Sequence, residues 1–310
     1  MNVGPGRRGV HHVGRIDPSY ADRPMAVSAT SSGLARLVVV GPAQGAVHTE
    51  AAVGALAPGG WLARHIHSFE EALYVLEGEL ILDLDGHVHR LQPGDYAHMA
   101  IGTWHALANA GAEPVRWFSV NTPQRLDPGA GRRDTFFRDG PLDVPALAAM
   151  AARPAFGDPS LRSVGHYGGT PPQVEALRVA DAAHGRAPAG MDIAILAYSG
   201  ISVKMLVDRT IGADLLTMFT VDYEPNGAAQ VHDHPFEEVY LFLEGEIEGV
   251  LDGESYTLRA GDIAFAGVGS SHGFFNTGGG RVRWIETQAP QPPARHAYRW
   301  VDAWKRFEEH

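Results

Sequence analysis

Apolar residues in this chain come in short runs rather than in long helical stripes. Between Leu34 and Thr122, the runs Leu37-Val38-Val39-Val40, Ala72-Leu73-Tyr74-Val75-Leu76 and Leu80-Ile81-Leu82 are separated by Gly, Pro and Asp. Runs of about 4–8 residues bounded by such breakers predict strands, because a helix burying as much would need a longer periodic segment. Asp85-Gly86 and Asp252-Gly253 predict hairpin turns, since glycine supplies positive φ at low steric cost. Many short strands with regularly spaced turns predict an all-β fold, a sandwich or barrel. Residues 1 to 33 read as an irregular lead-in. Residues 123–190 change character: Pro, Gly, Asp and Arg are frequent, and two stretches have helical spacing. One is Val144 to Ala152; the other is Val174 to Ala183, led in by Pro171-Pro172 and stopped by Gly185. After Gln291-Pro292-Pro293, residues Asp302 to Glu309 predict a short closing helix. The expected organisation is therefore a β unit at 34–122, a partly helical connector at 123–190, a second β unit at 191–289 and an extension at 290–310.

The two β units are copies of one another. His65-x-His67-x-x-x-Glu71 followed by His105 returns as His232-x-His234-x-x-x-Glu238 followed by His272, each pair at a constant separation of 167 residues. The register extends to Gly78 and Gly245, Gly94-Asp95 and Gly261-Asp262, Asn109 and Asn276, and Val115-Arg116-Trp117 and Val282-Arg283-Trp284. Roughly two positions in five are identical between 65–118 and 232–285, without a gap. Units of roughly 90 residues are too long for solenoid repeats and are read as two whole barrels.

Composition narrows the chemistry. Net charge is −11 with no basic run, which points away from nucleic acid as a partner. No apolar run approaches the ~20 residues of a membrane span, and residues 1–10 lack the apolar core of a signal peptide, so a cytoplasmic protein is expected. With no cysteine in the chain, His and carboxylate are the strong ligand types left for a metal. Histidine numbers sixteen, six of them in the repeated constellation.

Residues i and i+2 of a strand face the same way, so His65 and His67 project side by side, as do His232 and His234. The three residues that follow can turn the chain so that Glu71 or Glu238 enters from the neighbouring strand. His105 and His272 arrive from a later strand, after a Gly-bearing turn. Three imidazoles and one carboxylate suit a divalent transition metal, namely Fe(II), Mn(II), Ni(II), Co(II), Zn(II) or Cu(II).

These spacings resemble the two defining motifs of the cupin superfamily: Gly59-x5-His65-x-His67-x3-Glu71-x6-Gly78, then Gly94-x5-Ala100-x-Gly102-x2-His105-x3-Asn109. The second copy departs only at turns, with Asn226 at the place of Gly59 and Gly267 at the place of Ala100, a position where the family usually has Pro. The resemblance implies a bicupin of two antiparallel jelly-roll barrels in tandem, each holding one metal through His65, His67, Glu71 and His105, or His232, His234, Glu238 and His272. It is similar in ligand set to quercetinase-like dioxygenases and oxalate decarboxylases. The leading expectation is a metal-dependent dioxygenase acting on a small enolisable or phenolic compound, with Fe(II), Mn(II) or Ni(II) favoured over Zn(II) or Cu(II). Glu71 or Glu238 would serve as general base and Tyr240 and Phe274 would line the substrate pocket. Aromatic residues around its ligand strands favour the second barrel as the working one. The alternatives are an O2-independent hydrolase, isomerase or decarboxylase, and a bicupin that binds a small molecule without catalysis. A homodimer is expected by resemblance.

Overall fold

The computed structural model describes residues 10–25, 28–125, 134–138, 140–156, 161–179, 198–292 and 299–300. In chain order the strands of the first half are β1 (His11–Arg15), β2 (Ser31–Val40), β3 (Glu50–His67), β4 (Glu70–Glu77), β5 (Leu80–Leu84), β6 (His87–Leu91), β7 (Asp95–Met99), β8 (His105–Ala108) and β9 (Val115–Thr122). Next come β10 (Thr135–Phe137), helix α1 (Val144–Met150), β11 (Val164–His166), helix α2 (Pro171–Ala176) and β12 (Arg178–Val179). The second half holds β13 (Tyr198–Val207), β14 (Thr217–Asp233), β15 (Glu237–Glu244), β16 (Glu246–Leu251), β17 (Glu254–Arg259), β18 (Asp262–Ala266), β19 (His272–Phe275), β20 (Val282–Ala289) and β21 (Arg299–Trp300).

The strands form two curled antiparallel sheets, as the run lengths predict, and they match tandem jelly-roll barrels. The first runs β11-β7-β4-β9-β3-β8-β5-β6, with β2 and β10 also on β3. The second runs β1-β18-β15-β20-β14-β19-β16-β17, with β13 and β21 also on β14. β3 and β14 are long because each serves two halves of its barrel. The first part of β3 pairs with β9 and its last part with β8 and β10, and β14 does the same with β20, then β19 and β21.

Turns follow the residue chemistry. Asp85 and Gly86 have φ of 49° and 88°, and Asp252 and Gly253 have 47° and 84°, the left-handed pair that a two-residue hairpin needs. Asn226 sits at φ 67° where Gly59 has 73°. Asn tolerates this region better than other side-chain-bearing residues, so the turn survives the loss of glycine.

Three buried clusters explain the apolar runs. Leu73 and Val75 point into the first barrel with Leu56, Leu82, Leu107 and Trp117. Tyr240 and Phe242 point into the second with Tyr223, Phe274 and Trp284. Their sequence neighbours Ala72, Tyr74, Val239 and Leu241 point the opposite way and meet in one core shared by both barrels. β4 and β15 are thus covered on both faces, which is why Ala72–Leu76 is apolar throughout instead of alternating.

Two stretches differ from the expectation. The lead-in is not irregular throughout: β1 pairs with β18 of the second barrel, His11 opposite Ala266 through Arg15 opposite Asp262. The 123–190 stretch contributes strands as well as helices, β10 pairing with β3 and β11 with β7. Strands this short carry too little periodicity to be read without their partners. Helix α1 begins at the expected Val144, with the Asp143 side chain accepting from Ala146 N. Helix α2 begins three residues before the expected Val174, because Thr170 and Gln173 form a capping box and the two prolines occupy its first turn. Residues 180–183 and the expected helix Asp302–Glu309 lie outside the described residues.

Candidate metal centres

Each histidine pair ends a long strand. His65 and His67 close β3, and His232 and His234 lie at the end of β14. His105 and His272 begin β8 and β19 and stand in register opposite His65 and His232. In both barrels the pairing shifts register immediately before the first histidine, between Leu62 and His65 and between Ala229 and His232. Such a bulge bends the strand and re-aims the side chains beyond it. Glu71 and Glu238 are the second residues of β4 and β15. Here the geometry departs from the sequence reading: the carboxylate comes not from the strand adjacent to the histidine strand but from the one beyond, with β9 or β20 lying between them.

Within each triad, His65-His67-His105 and His232-His234-His272, the candidate ligand atoms lie within 4.8 Å of one another and every residue is buried. Glu71 Oε2 is 3.4 Å from His67 Nε2 and 3.9 Å from His105 Nε2. Glu238 Oε2 is 2.9 Å from both His234 Nε2 and His272 Nε2. Two ligands at right angles, each about 2.1 Å from a shared ion, would stand about 3 Å apart.

One hydrogen-bond pattern recurs at all six imidazoles. Nδ1 of His65, His105, His232 and His272 donates to the carbonyl two residues earlier, at 2.8, 3.0, 2.7 and 3.0 Å. Nδ1 of His67 and His234 donates to Phe69 O and Phe236 O, two residues later, at 2.6 and 2.9 Å. With the proton held on Nδ1, the Nε2 lone pair faces the centre, and Nε2 of His67, His105 and His272 is buried without a hydrogen-bond partner. A buried orphan acceptor is costly unless something occupies it. The donor chemistry therefore fits one divalent metal in each barrel. Phe69 and Phe236 stack on His67 and His234 with ring centroids 3.8 Å apart in both cases, fixing the ring planes from outside.

Electrostatics prepares the groups as ligands. Burial, aided by the neighbouring imidazole, pushes His65 and His232 down to about 3, so both are neutral at physiological pH. Burial alone would raise the Glu71 carboxyl, but the contact with His67 and the surrounding imidazoles outweigh it and hold it at about 2. Glu238 is held well below the ordinary range in the same way by His234 and His272.

Tyr240 and Phe274 lie in the interior of the second barrel. The Tyr240 hydroxyl donates to Glu238 Oε2, and Phe274 meets the Tyr240 ring edge-on at 4.9 Å. Two further residues at this centre carry no recognisable motif. Gln288 Nε2 donates to Glu238 Oε1 at 2.7 Å, and Glu286 is buried beside them, accepting from Trp284 Nε1 at 3.0 Å. Burial, with the Glu238 charge adding to it, raises the Glu286 carboxyl well above its usual range. The available signal was the repeat itself: Glu286 and Gln288 share the inward parity of Trp284, yet Ser119 and Asn121 occupy the matching places.

The cupin domain model matches residues 52–121 and 219–287. In fold the chain is similar to salicylate 1,2-dioxygenase from Pseudoaminobacter salicylatoxidans, at a TM-score of 0.70 and 16% identity, over 93% of this chain and 83% of that one. In sequence it is 32% identical over 94 residues to the tetracenomycin polyketide synthase protein TcmJ of Streptomyces glaucescens, which is 30% of this chain and 60% of that protein. It is 30% identical over 96 residues to polyketide synthase CurC of Streptomyces cyaneus, 30% of this chain and 62% of that protein. The chain thus spans less than two thirds of the curated relatives it matches. Among the described residues, no helix is long and apolar enough to cross a membrane.

Proposed function

On the premise that this chain is a bicupin, two cupin domains in tandem, we propose that it is a metal-dependent dioxygenase that oxidises a small enolisable or phenolic compound. The observation that carries this reading is the twice-built set of three buried imidazoles, each with Nδ1 hydrogen-bonded to a backbone carbonyl and Nε2 turned inward, and one ionised carboxylate. Four protein ligands on a six-coordinate ion would leave room for two more, enough for one substrate oxygen and O2 or for a chelating substrate. We assign His65, His67, Glu71 and His105, and His232, His234, Glu238 and His272, as the ligands, with iron, manganese or nickel as the resident metal. When bound, the metal supplies a Lewis acid that lowers the pKa of a substrate hydroxyl and holds it beside O2.

The chain's own residues supply the rest. Backbone carbonyls keep each imidazole in one tautomer, and Phe69 and Phe236 keep its plane. The Glu71 or Glu238 carboxylate, ionised near neutral pH, accepts the proton of the substrate enol or phenol. The fold it shares with salicylate 1,2-dioxygenase supports the reaction class. The cysteine-free composition suits a reducing cytoplasm, and a homodimer belongs to the same proposal.

Oxygen uptake with iron-, manganese- or nickel-loaded protein and a panel of catechols, hydroxybenzoates, flavonols and 1,3-diketones tests this reading. Turnover that stops under anoxia is expected. Turnover that continues without O2, or protein that takes up no metal, rules it out.

A further inference from the structure

The two centres share ligands but differ in what restrains the carboxylate. Glu238 is held from outside on both oxygens, Oε2 by the Tyr240 hydroxyl and Oε1 by the Gln288 amide, and its side chain is 2% exposed. In the first barrel, Leu73 and Asn121 occupy the positions of Tyr240 and Gln288. Leucine has nothing to donate. Asn121 is buried with its Oδ1 lacking a hydrogen-bond partner, and among the described residues it gives Glu71 no bond. Among the described residues, the polar partners of Glu71 are the imidazoles of His67 and His105, at the longer 3.4 and 3.9 Å, and its side chain is 15% exposed.

The barrel interiors differ in the same sense. Tyr223, Tyr240, Phe274 and Trp284 pack ring against ring in the second barrel, with centroids 4.6 to 6.2 Å apart. The rings that recommend this barrel as a substrate site are thus occupied with one another. The first barrel has Leu56, Leu73 and Leu107 at the first three of those places, together with the unpartnered Asn121 oxygen.

Groups that hydrogen-bond a ligand from behind fix its orientation, and losing one typically costs about 10–100-fold in metal affinity. From this contrast we infer that Tyr240 and Gln288 are positioning residues that lock Glu238 and make the second barrel a slow-exchanging structural centre. Glu71, restrained by its metal alone, is the labile ligand, and the first barrel is the exchangeable centre where substrate oxygen enters and Glu71 takes its proton. This rests on the metal binding proposed above and assigns the two barrels different work.

Co(II) exchange tests it without reference to turnover. Full-length protein carrying two equivalents of Co(II) is challenged with EDTA, and the visible absorbance and residual metal are followed in time. Two phases of equal amplitude are expected, with H67A retaining only the slow one and H234A only the fast one. Y240F, which keeps the ring and removes one hydroxyl, should speed the slow phase by about 10-fold or more and leave the fast phase unchanged. The reciprocal pair L73Y/N121Q should slow the fast phase, a gain that a merely structural role for these positions would not produce. If that pair fails to fold, Y240F decides alone. A single phase for two bound ions, or a Y240F slow phase equal to that of the parent, overturns this inference while the functional reading stands. Protein that binds no Co(II) sinks both.

Discussion

Glu70 and Glu237, one residue before the two candidate ligand carboxylates, each reach into the opposite barrel. Glu70 accepts from Asp214 N and Leu215 N at 2.7 and 2.9 Å. Glu237 accepts from Val47 N, His48 N and Thr49 N at 2.6, 3.0 and 3.0 Å. Both carboxylates are buried, and together they form a reciprocal clamp beside the shared apolar core. Hydrogen bonds to charged groups are worth about 1.5–3 kcal/mol each, and removing the acceptor leaves these amides, most of them only partly buried, without their partner. E237A should therefore cost about 3–5 kcal/mol in urea denaturation, and E70A somewhat less because it frees fewer amides. A cost below about 1 kcal/mol for both would mean that water takes over the amides and the clamp is idle.

Metal content should follow the two triads independently. H67A and H234A are each expected to remove one of two bound equivalents, and the double variant both, as read by elemental analysis after gel filtration. A double variant that still carries two ions places the metals elsewhere.

Glu286 gives the second barrel a pH signature in the metal-free protein. Its folded pKa is raised, so the native state keeps a proton that the unfolded chain gives up near 4.5. Stability from this group is complete below that value and declines as the pH rises toward the folded pKa. Glutamine mimics the protonated form and does not titrate. E286Q should thus gain on the parent as the pH rises above about 4.5, by up to about 1.4 kcal/mol per pH unit until the folded pKa is reached. Urea melts of both proteins in chelator check it. A gap that does not change with pH would show that Glu286 is ionised in the fold.

The first barrel should resist acquiring the second barrel's packing at Gly54. A Cβ there would lie 2.3 Å from the Trp117 ring, so glycine is what lets the indole lie across β3. Val221 holds the equivalent place in the second barrel, where Trp284 sits differently among Tyr223 and Phe274. G54V should cost upwards of about 1–3 kcal/mol through overpacking, seen as a lowered Tm. An unchanged Tm would show that Trp117 has room to move.

The ligand histidines and the barrel class were legible because each depends on local spacing: i, i+2 on a strand, and short runs between glycines. The gathering of His65, His67 and His105 follows from those spacings once the fold is known. Glu286 and Gln288 were not legible, because an inward carboxyl and amide on β20 read as polar residues of an edge until Trp284 and Glu238 are found beside them. Glu70 and Glu237 escaped for a different reason: their partners are backbone amides, which no side-chain pattern records. β1 and β11 are too short to show a period, and only their antiparallel partners identify them.

The pairing of β1 with β18 joins Arg15 to Asp262 across 247 residues of chain. During translation, a segment made early must wait for most of the polypeptide to leave the ribosome before its hydrogen-bond partners exist. Until then the rim of β18 and the waiting segment are both open to strangers, the circumstance in which edge-to-edge aggregation begins. A gene cut between the barrels would hand one product the strand and the other its slot, and the two fragments should recover their shape only when mixed.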